Sequence, residues 1–550
     1  MGKGNATLPG TDHLASQAVI LAVILFAYSG ARSEAIKPDQ PNQAPPRIGS
    51  ITINNGSIFD LEDPAENKLL YRLANKVHLT TRPHVIEQQL LFETGEDFSA
   101  QSLHESERIL RDNRYIQEAQ IEPIRRGNGV VDINVNTTDT WTLVPKLSFS
   151  HSGGESSAGL GLKESNLFGS GVGIEFMYKS DVDRDSRMLK VVDKQLGDSW
   201  YGIRAIAEDN SDGHLHSLEF GQPFYSLDTK SSRGFSYLDA DQTDSLYDRG
   251  EIAAQYRHEI QGYDLQVGWS QGLRNGWARR YVAGLGYDEH RFAEALDPIG
   301  STSLLPTNRK FVYPYVGIEF VQDKFEEAVN LDQIARTEDR FVGSAFTARI
   351  GAAQSAFGSS TDAWILRGSA RTSISKSQSS SLVFASDFGT RIETGGVANL
   401  LLNMDAKYYK RLSDKRLFFV RLNGSYGQNL DLDQHMYLGG DNGLRGYPLR
   451  YQSGDKRALL TLEQRFYTDW YPFRLFRVGA AVFFDMGRTW GEGPFGTGND
   501  GLLRDVGAGL RLGNARSSLG QVVHIDVAYP LDGNNDISNV QFIVEIKKSF

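Results

Sequence analysis

The 550-residue chain has no cysteine. That excludes disulfide scaffolds, thiolate metal sites and lipoprotein-type acylation, and it is compatible with an oxidising periplasm or a cell surface. Long apolar runs are scarce too, and a mean hydropathy of −0.38 leaves no room for a bundle of transmembrane helices. The one strongly apolar stretch is AVILAVILFAY, Ala18 to Tyr28. As a helix it would span about 16 Å, roughly half a bilayer core. Small residues follow, with cleavage-compatible ends at Ala31 and Ala35. Residues 1–35 therefore read as a secretory signal peptide rather than as a buried or surface-lying helix. Positive charge is in deficit, with 58 Lys and Arg against 68 Asp and Glu, a net charge of −10. Removing 1–35 leaves that balance unchanged, because Lys3 and Arg32 offset Asp12 and Glu34. An acidic chain is not a general nucleic-acid binder.

What is abundant is glycine, 56 residues, and aromatic side chains, 29 Phe and 23 Tyr. After a Pro-rich extended linker at 36–46, residues 47–141 show mixed patterning. IGSITIN alternates as a strand, with Ile48, Ile51 and Ile53 on one face. TRPHVIEQQLLFETG reads as a helix capped by Thr81, and FSAQSLHESERILRDN as a second, capped by Ser99, with Leu103, Ile109 and Leu110 inward. YIQEAQIEPI and VVDINVNT are strands around the turn RRGNG. The order is β-α-α-β-β, enough for one small core.

Beyond Trp141 no segment sustains a helical period. Alternating stretches joined by Gly/Ser/Asp/Asn turns run to the end. In RRYVAGLGYDE one face carries Tyr281, Ala283, Leu285 and Tyr287, and the other Arg280, Val282, Gly284 and Gly286. A sheet that is apolar outside and wet inside must alternate so, and closure removes bare edges from lipid. The last stretch sets Phe542, Val544, Ile546 and the terminal Phe550 on one face, as the closing strand and terminal signal of an outer-membrane barrel would. A soluble β-sandwich or propeller is the competing reading. The fold class expected for 142–550 is thus a transmembrane antiparallel β-barrel, and segmentation yields about twenty strands.

Five motifs near the C-terminus and one earlier turn then carry a family resemblance. SNLFGSG (165–171), GGDNGLRGYPL (439–449), LTLEQRF (460–466), VFFDMG (482–487), VGAGLRL (506–512) and IDVAYPL (525–531) occur in order. The chain resembles the bacterial surface antigen superfamily of outer-membrane assembly and translocation proteins, the BamA and TamA relatives. The resemblance implies one polypeptide-transport-associated (POTRA) domain at 47–141, in the periplasm, and a barrel of 16 strands. It also implies that the Arg445–Gly446–Tyr447 tip folds into the lumen, where Asp485 and Glu463 hold the arginine. Without the family, a buried arginine still needs partners, and its planar fork can meet a carboxylate with two parallel bonds. Gly443 and Gly446 supply backbone freedom at that tip.

The functional expectation is assembly, insertion or translocation of proteins at the outer membrane of a Gram-negative bacterium. Unfolded client proteins would add a strand along Tyr115, Ile116, Gln117, Glu118, Ala119, Gln120 and Ile121. A seam between the first strand (about 144–151) and the last (540–550) would template insertion. The alternative is a dedicated secretion pore for one partner, or a passive porin. Partners are the clients, the lipid bilayer and periplasmic accessory proteins, with no nucleic acid. No catalysis, cofactor or metal is expected. GWSQG (268–272) matches G-x-S-x-G but lacks the following helix of a nucleophile elbow. DADQTD (239–244) and DVDRD (181–185) lack EF-hand positions and read as solvated acidic turns. GSGVG (169–173) has no helix to cradle phosphate, and the 11 histidines show no metal-binding spacing.

Overall fold

The computed structural model describes residues 45–550, except 128, 153, 297–303, 335–336, 378, 475, 497–500, 515, 517, 519–521, 533–536, 538–539 and 548–550. The signal peptide, nearly all of the linker and Phe550 lie outside the described residues. The small module comprises β1 (Arg47–Gly56), α1 (Leu69–Val77), α2 (Pro83–Glu87), α3 (Ala100–Asp112), β2 (Ile116–Gly127) and β3 (Val130–Asp139). In its sheet β3 is central, parallel to β1 and antiparallel to β2. Alternate residues Val131, Ile133 and Val135 point into a core shared with Ile86, Leu110 and Ile116, as a half-covered sheet requires.

Ser99 caps α3 as its position suggests, accepting the Ser102 N–H at 3.3 Å. Two details of the module differ from the sequence reading. There is an additional helix, α1. The helix expected from Thr81 is only five residues long, and Thr81 does not cap it. Its N–H and hydroxyl instead donate to Asp139, at 2.7 and 2.9 Å, fixing the module where the chain leaves it.

From Leu143 onward the chain forms one antiparallel sheet of 20 strands, each paired with its chain neighbours, that comes round to its own beginning. The alternation has its expected outcome. Tyr281 and Leu285 are exposed on the outer face, while Arg280 and Val282 are buried. On the last strand, Gln541–Lys547, Phe542 and Ile546 are exposed and Ile543 is buried. Strands Ser231–Asp248, Glu251–Arg274 and Trp277–Glu294 are 18, 24 and 18 residues long. About 9–11 residues suffice to cross a bilayer, so these continue well beyond it.

The barrel of 16 strands that the resemblance implies is overturned in strand number and in closure, whereas the count of about twenty from segmentation stands. Among the described residues the sheet has 20 strands, and no ladder seals it. Among the described residues, the first strand, Leu143–Ser152, and the last meet at Val544 with His151. By contrast the first strand pairs with its other neighbour along its whole length, Leu143 to Ser152. Two excursions interrupt the meander: a hairpin, Phe325–Val329 with Thr337–Phe341, and a ribbon, Met436–Leu438 with Gln452–Gly454, at the base of the GGDNGLRGYPL loop.

Candidate functional site: a lumen filled from both ends

The loop above its ribbon turns inward. Leu438, Leu444 and Tyr447 are fully buried in one cluster with Tyr451 and Leu459. Tyr447 donates its hydroxyl towards the Arg504 and Asp532 carbonyls, each 2.8 Å away. Two glycines make the approach possible for different reasons. Gly443 has φ = +127°, a region where side chains are strained, and an added Cβ would also strike Leu459. Gly446 needs space rather than unusual angles, since a Cβ there would sit 2.7 Å from Asp505 Cβ and 3.1 Å from the Pro530 nitrogen.

Arg445 reaches the inner wall. Its Nε and Nη2 donate to the two oxygens of Asp485 at 2.7 and 3.0 Å, and Nη1 donates to Glu463 at 3.1 Å. Its guanidinium lies 3.3 Å from the Phe483 ring centroid. The structure thus brings together Arg445, Gly446, Tyr447, Glu463 and Asp485. It adds members that lie in the motifs or directly beside them. Asp526 Oδ2 is 3.5 Å from Arg445 Nη1, Arg511 pairs with Asp526, and Gly446 N–H donates to Asp505 at 3.1 Å. Each lies on the strand face that Asp485 or Glu463 shares, so strand parity alone could have nominated them.

Arg450, four residues before the loop's ribbon ends at Gly454, is also engaged. It forms a two-pronged pair with Asp183, 2.9 and 2.7 Å, and stacks over Tyr247 at 4.3 Å. The DVDRD turn is therefore a partner of the loop rather than a solvated acidic turn. Asp239, Asp241 and Asp244 likewise sit within the strand Ser231–Asp248 and meet His214, Arg257 and His258. Ser270 of GWSQG donates to the Arg279 carbonyl inside a strand that continues to Arg274.

The hairpin 325–341 closes the lumen from the module side, and nothing in the sequence reading foresaw it. Its tip carries Ile334, buried against Tyr409, Leu417, Phe419, Tyr467, Ala481 and Val522 of the inner wall. Tyr409 donates to Asp332 at 2.9 Å, and Arg465 Nη1 donates to the Leu331 carbonyl at 3.0 Å. Arg465 Nε also donates to Glu463 at 3.0 Å. Glu463 is thus shared by Arg445 on one oxygen and Arg465 on the other, and a continuous chain of charge links the loop to the hairpin.

The module grips the hairpin's outer side. Arg111 of α3 donates to Asp339 through Nε and Nη2, both at 2.7 Å, and to Glu327 at 2.9 Å. Arg108 lies 4.2 Å from the Phe325 ring centroid. Elsewhere the SNLFGSG turn bonds the module: Asn166 Nδ2 donates to Thr81 at 2.8 Å, and Arg82 N–H to the Gly169 carbonyl at 3.0 Å. The segment Tyr115–Ile121 does run along a sheet edge, in β2. Two of its outward groups are nevertheless occupied. Arg111 Nη1 donates to the Ala119 carbonyl at 2.9 Å, and Glu107 accepts the Ile121 N–H at 2.6 Å. Tyr115, Ile116, Ala119 and Ile121 point into the module core, and Gln120 is exposed, with Gln117 and Glu118 between. A client strand would have to displace the module's own helix side chains.

Residues 354–550 match the Omp85 superfamily domain, which includes the loop, its acidic wall and the last strand. The heme/hemopexin transporter protein HuxB of Haemophilus influenzae is 30% identical over 156 residues, 26% of this chain and 27% of that protein. The match thus spans about a quarter of the relative's length. Among solved structures, CdiB from Acinetobacter baumannii has a TM-score of 0.46 at 15% identity, covering 92% of this chain and 73% of its own. BamA from Haemophilus ducreyi lacking POTRA domains 1–3 has a TM-score of 0.38 at 12% identity, with coverages of 90% and 84%.

The C-terminal part of the chain is an Omp85 superfamily domain. The protein resides in the outer membrane of a Gram-negative bacterium, with its N-terminal module facing the periplasm. The loop of Arg445 accordingly enters from the cell exterior and the hairpin from the periplasm.

Proposed function

We propose that the protein is a gated conduit that passes a polypeptide across the outer membrane, serving one dedicated secreted partner. The observation that carries this reading is the double obstruction of the lumen. A passive porin gains nothing from an arginine loop and a hairpin joined through Glu463 and Arg465. A conduit for an extended chain needs both to be removable, and the shared carboxylate lets release of one loosen the other. In this reading Arg445, Glu463 and Asp485 brace the closed state, and the module delivers the partner to β2 as Arg111 and Glu107 let go of it. The HuxB match, to a transporter, favours the single-partner role over general assembly.

A second reading is insertion of other outer-membrane proteins, favoured by the seam, where among the described residues Val544 with His151 joins first strand to last. A weakly paired seam can part and offer its edges to a client. Depletion followed by proteomics separates the two. Loss of one secreted protein supports the conduit, loss of several outer-membrane proteins supports insertion, and unchanged levels of both reject both. Because the chain lacks cysteine, His151→Cys with Val544→Cys can lock the seam. Retained secretion in the locked protein supports passage through the lumen; abolished secretion points to the seam.

A further inference from the structure

We propose that His258, His290 and Asp433 form a binding site for a divalent transition-metal ion, of which zinc is the best fit, inside the exterior half of the strand ring. The three ligating atoms lie within 4.8 Å of one another, although the residues are far apart in sequence. His258 and His290 stand on neighbouring strands, and Asp433 belongs to the segment leading into the Arg445 loop.

The histidine geometry carries the assignment. His258 Nδ1 lies 2.7 Å from Asp244 Oδ2, and His290 Nε2 lies 3.1 Å from Asp288 Oδ1. A carboxylate only accepts, so each outer ring nitrogen bears the hydrogen. In the neutral rings the inner nitrogens, His258 Nε2 and His290 Nδ1, then carry lone pairs. They face each other at 2.8 Å. Two acceptors at that distance repel unless a proton or a metal ion lies between them. A carboxylate on the far side of each imidazole is the arrangement that orients metal-bound histidines and raises their basicity. Tetrahedral zinc with bonds of about 2.0–2.1 Å separates two nitrogen ligands by roughly 3.3 Å, so the rings need part by only about 0.5 Å.

The surroundings favour a cation. Asp244, Asp288 and Asp433 converge on the pair, and Asp433 is held by Arg309 through both oxygens, at 2.9 and 2.6 Å. Each carboxylate oxygen retains a lone pair beyond that bond, so Arg309 positions the third ligand without using it up. Phe292 stacks on His258 at 4.3 Å and walls off one side. Two histidine nitrogens, one carboxylate and a water make a zinc set with an open fourth position. An ion here would staple the root of the Arg445 loop to the wall, whatever the conduit carries.

The test uses the full-length protein, folded in detergent and stripped with chelator, with zinc chloride as the probe in a competition assay against a chromophoric chelator. One equivalent should bind tightly. His258→Ala with His290→Ala should weaken it by at least a hundredfold, and Asp244→Asn, acting through His258, by about 10–100-fold. His214 and His216, which with Asp239 form a second and more exposed group on neighbouring strands, serve as the control pair, and their removal should leave the tight equivalent in place. Heat-modifiable gel migration establishes that each variant is folded. Absence of tight binding in the folded parent, or binding unchanged in the double variant, overturns the proposal.

A separate observation supports a second inference: α1 lies on the inner leaflet of the outer membrane. Leu69, Leu70, Leu73, Val77 and the following Leu79 are 78%, 62%, 55%, 63% and 58% exposed, while Tyr71 anchors the helix by stacking on Phe59. Lys68, Arg72 and Lys76 are exposed beside them. An apolar face flanked by cations suits an anionic lipid surface. The helix is also placed at the membrane's edge. Glu66, just before it, pairs with Arg516 of a periplasmic turn, and Arg516 donates to Tyr471 at 3.2 Å. The turn of Tyr471 exposes Trp470 and Phe473, residues of the kind that line a bilayer interface. A fluorophore on Leu73→Cys, in full-length protein reconstituted into phosphatidylethanolamine–phosphatidylglycerol vesicles, should be quenched by lipids spin-labelled near the headgroup. The same fluorophore on Gln120→Cys should be quenched by aqueous iodide instead. Iodide quenching at both sites, or no lipid quenching at position 73, overturns it.

Discussion

Replacing Arg445 by alanine removes one cation from a closed set of charges, and the structure sets the size of the effect. The guanidinium satisfies both oxygens of Asp485 and one of Glu463, and the side chains are 6%, 0% and 6% exposed. In Arg445→Ala, Glu463 keeps Arg465, but Asp485 keeps no cation in its place and lies against Asp505. Breaking a buried pair by deleting one partner costs about 3–5 kcal/mol, chiefly for the charge left behind. That shifts the loop's opening equilibrium by a factor of roughly a hundred or more. Arg450→Ala provides the scale. Its pair with Asp183 is 25% and 27% exposed, so solvent screens much of the attraction and about 1–2 kcal/mol is expected. Arg445→Lys should fall between, since lysine keeps charge but cannot make the two-pronged bond. The assay is hydrogen exchange of residues 439–449 in the folded protein, with denaturant unfolding alongside. If Arg445→Ala opens the loop no more than Arg450→Ala does, the lumen pairing is not what holds it. Equal opening in Arg445→Ala and in Arg445→Ala with Asp485→Ala would show that the stranded carboxylate is not the source of the cost.

Three further outcomes follow from the same contacts. Gly446→Ala should destabilise the inserted loop by about 1–3 kcal/mol, because the new methyl meets Asp505 and the Pro530 backbone; unchanged exchange at 439–449 would refute that close fit. Glu338, in the periplasmic hairpin, is pushed up to about 7 by burial and secondarily by Asp332, despite accepting backbone N–H groups of Leu331, Asp332 and Gln333. A carboxyl whose pKa is raised on folding binds its proton more tightly in the folded state. Its stabilisation is therefore complete below about 4.5 and is lost as pH rises through about 7. Protease cleavage at the hairpin tip should accordingly be slower at pH 5 than at pH 8, and Glu338→Gln should flatten the difference. Arg111→Ala should free both the hairpin and the Ala119 carbonyl on the β2 edge, seen as channel activity in planar bilayers above that of the parent; conductance equal to the parent's would mean that the module does not hold the hairpin.

Much of this was legible locally. Period-two alternation in RRYVAGLGYDE assigns Tyr281 and Leu285 to lipid and Arg280 to the lumen, because a strand's side chains have no other choice of face. Absence of cysteine and of long apolar runs directed the reading to a sheet before any motif was considered. An arginine between glycines, followed by inward carboxylates on two later strands, marked Arg445, Glu463 and Asp485 as partners, since a buried cation demands them. The same face rule would have included Arg465 two residues after Glu463.

Other features depend on which strands meet, and no local pattern specifies that. About twenty alternating segments can be counted locally, but which of them join one ladder cannot, and the hairpin 325–341 stays outside it. Whether an edge is free depends on what packs against it: β2 is an edge by topology, yet its Ala119 carbonyl and Ile121 N–H are taken by Arg111 and Glu107. The hairpin 325–341 reads as one more β-turn until its tip is found beneath Tyr409 and Phe419. His258, His290 and Asp433 have no spacing to notice, because the curvature of the ring and the inward fold of the loop bring them together. Alternation in the sequence determines which way each side chain faces; the order in which the strands meet around the inward loops decides which of those side chains touch.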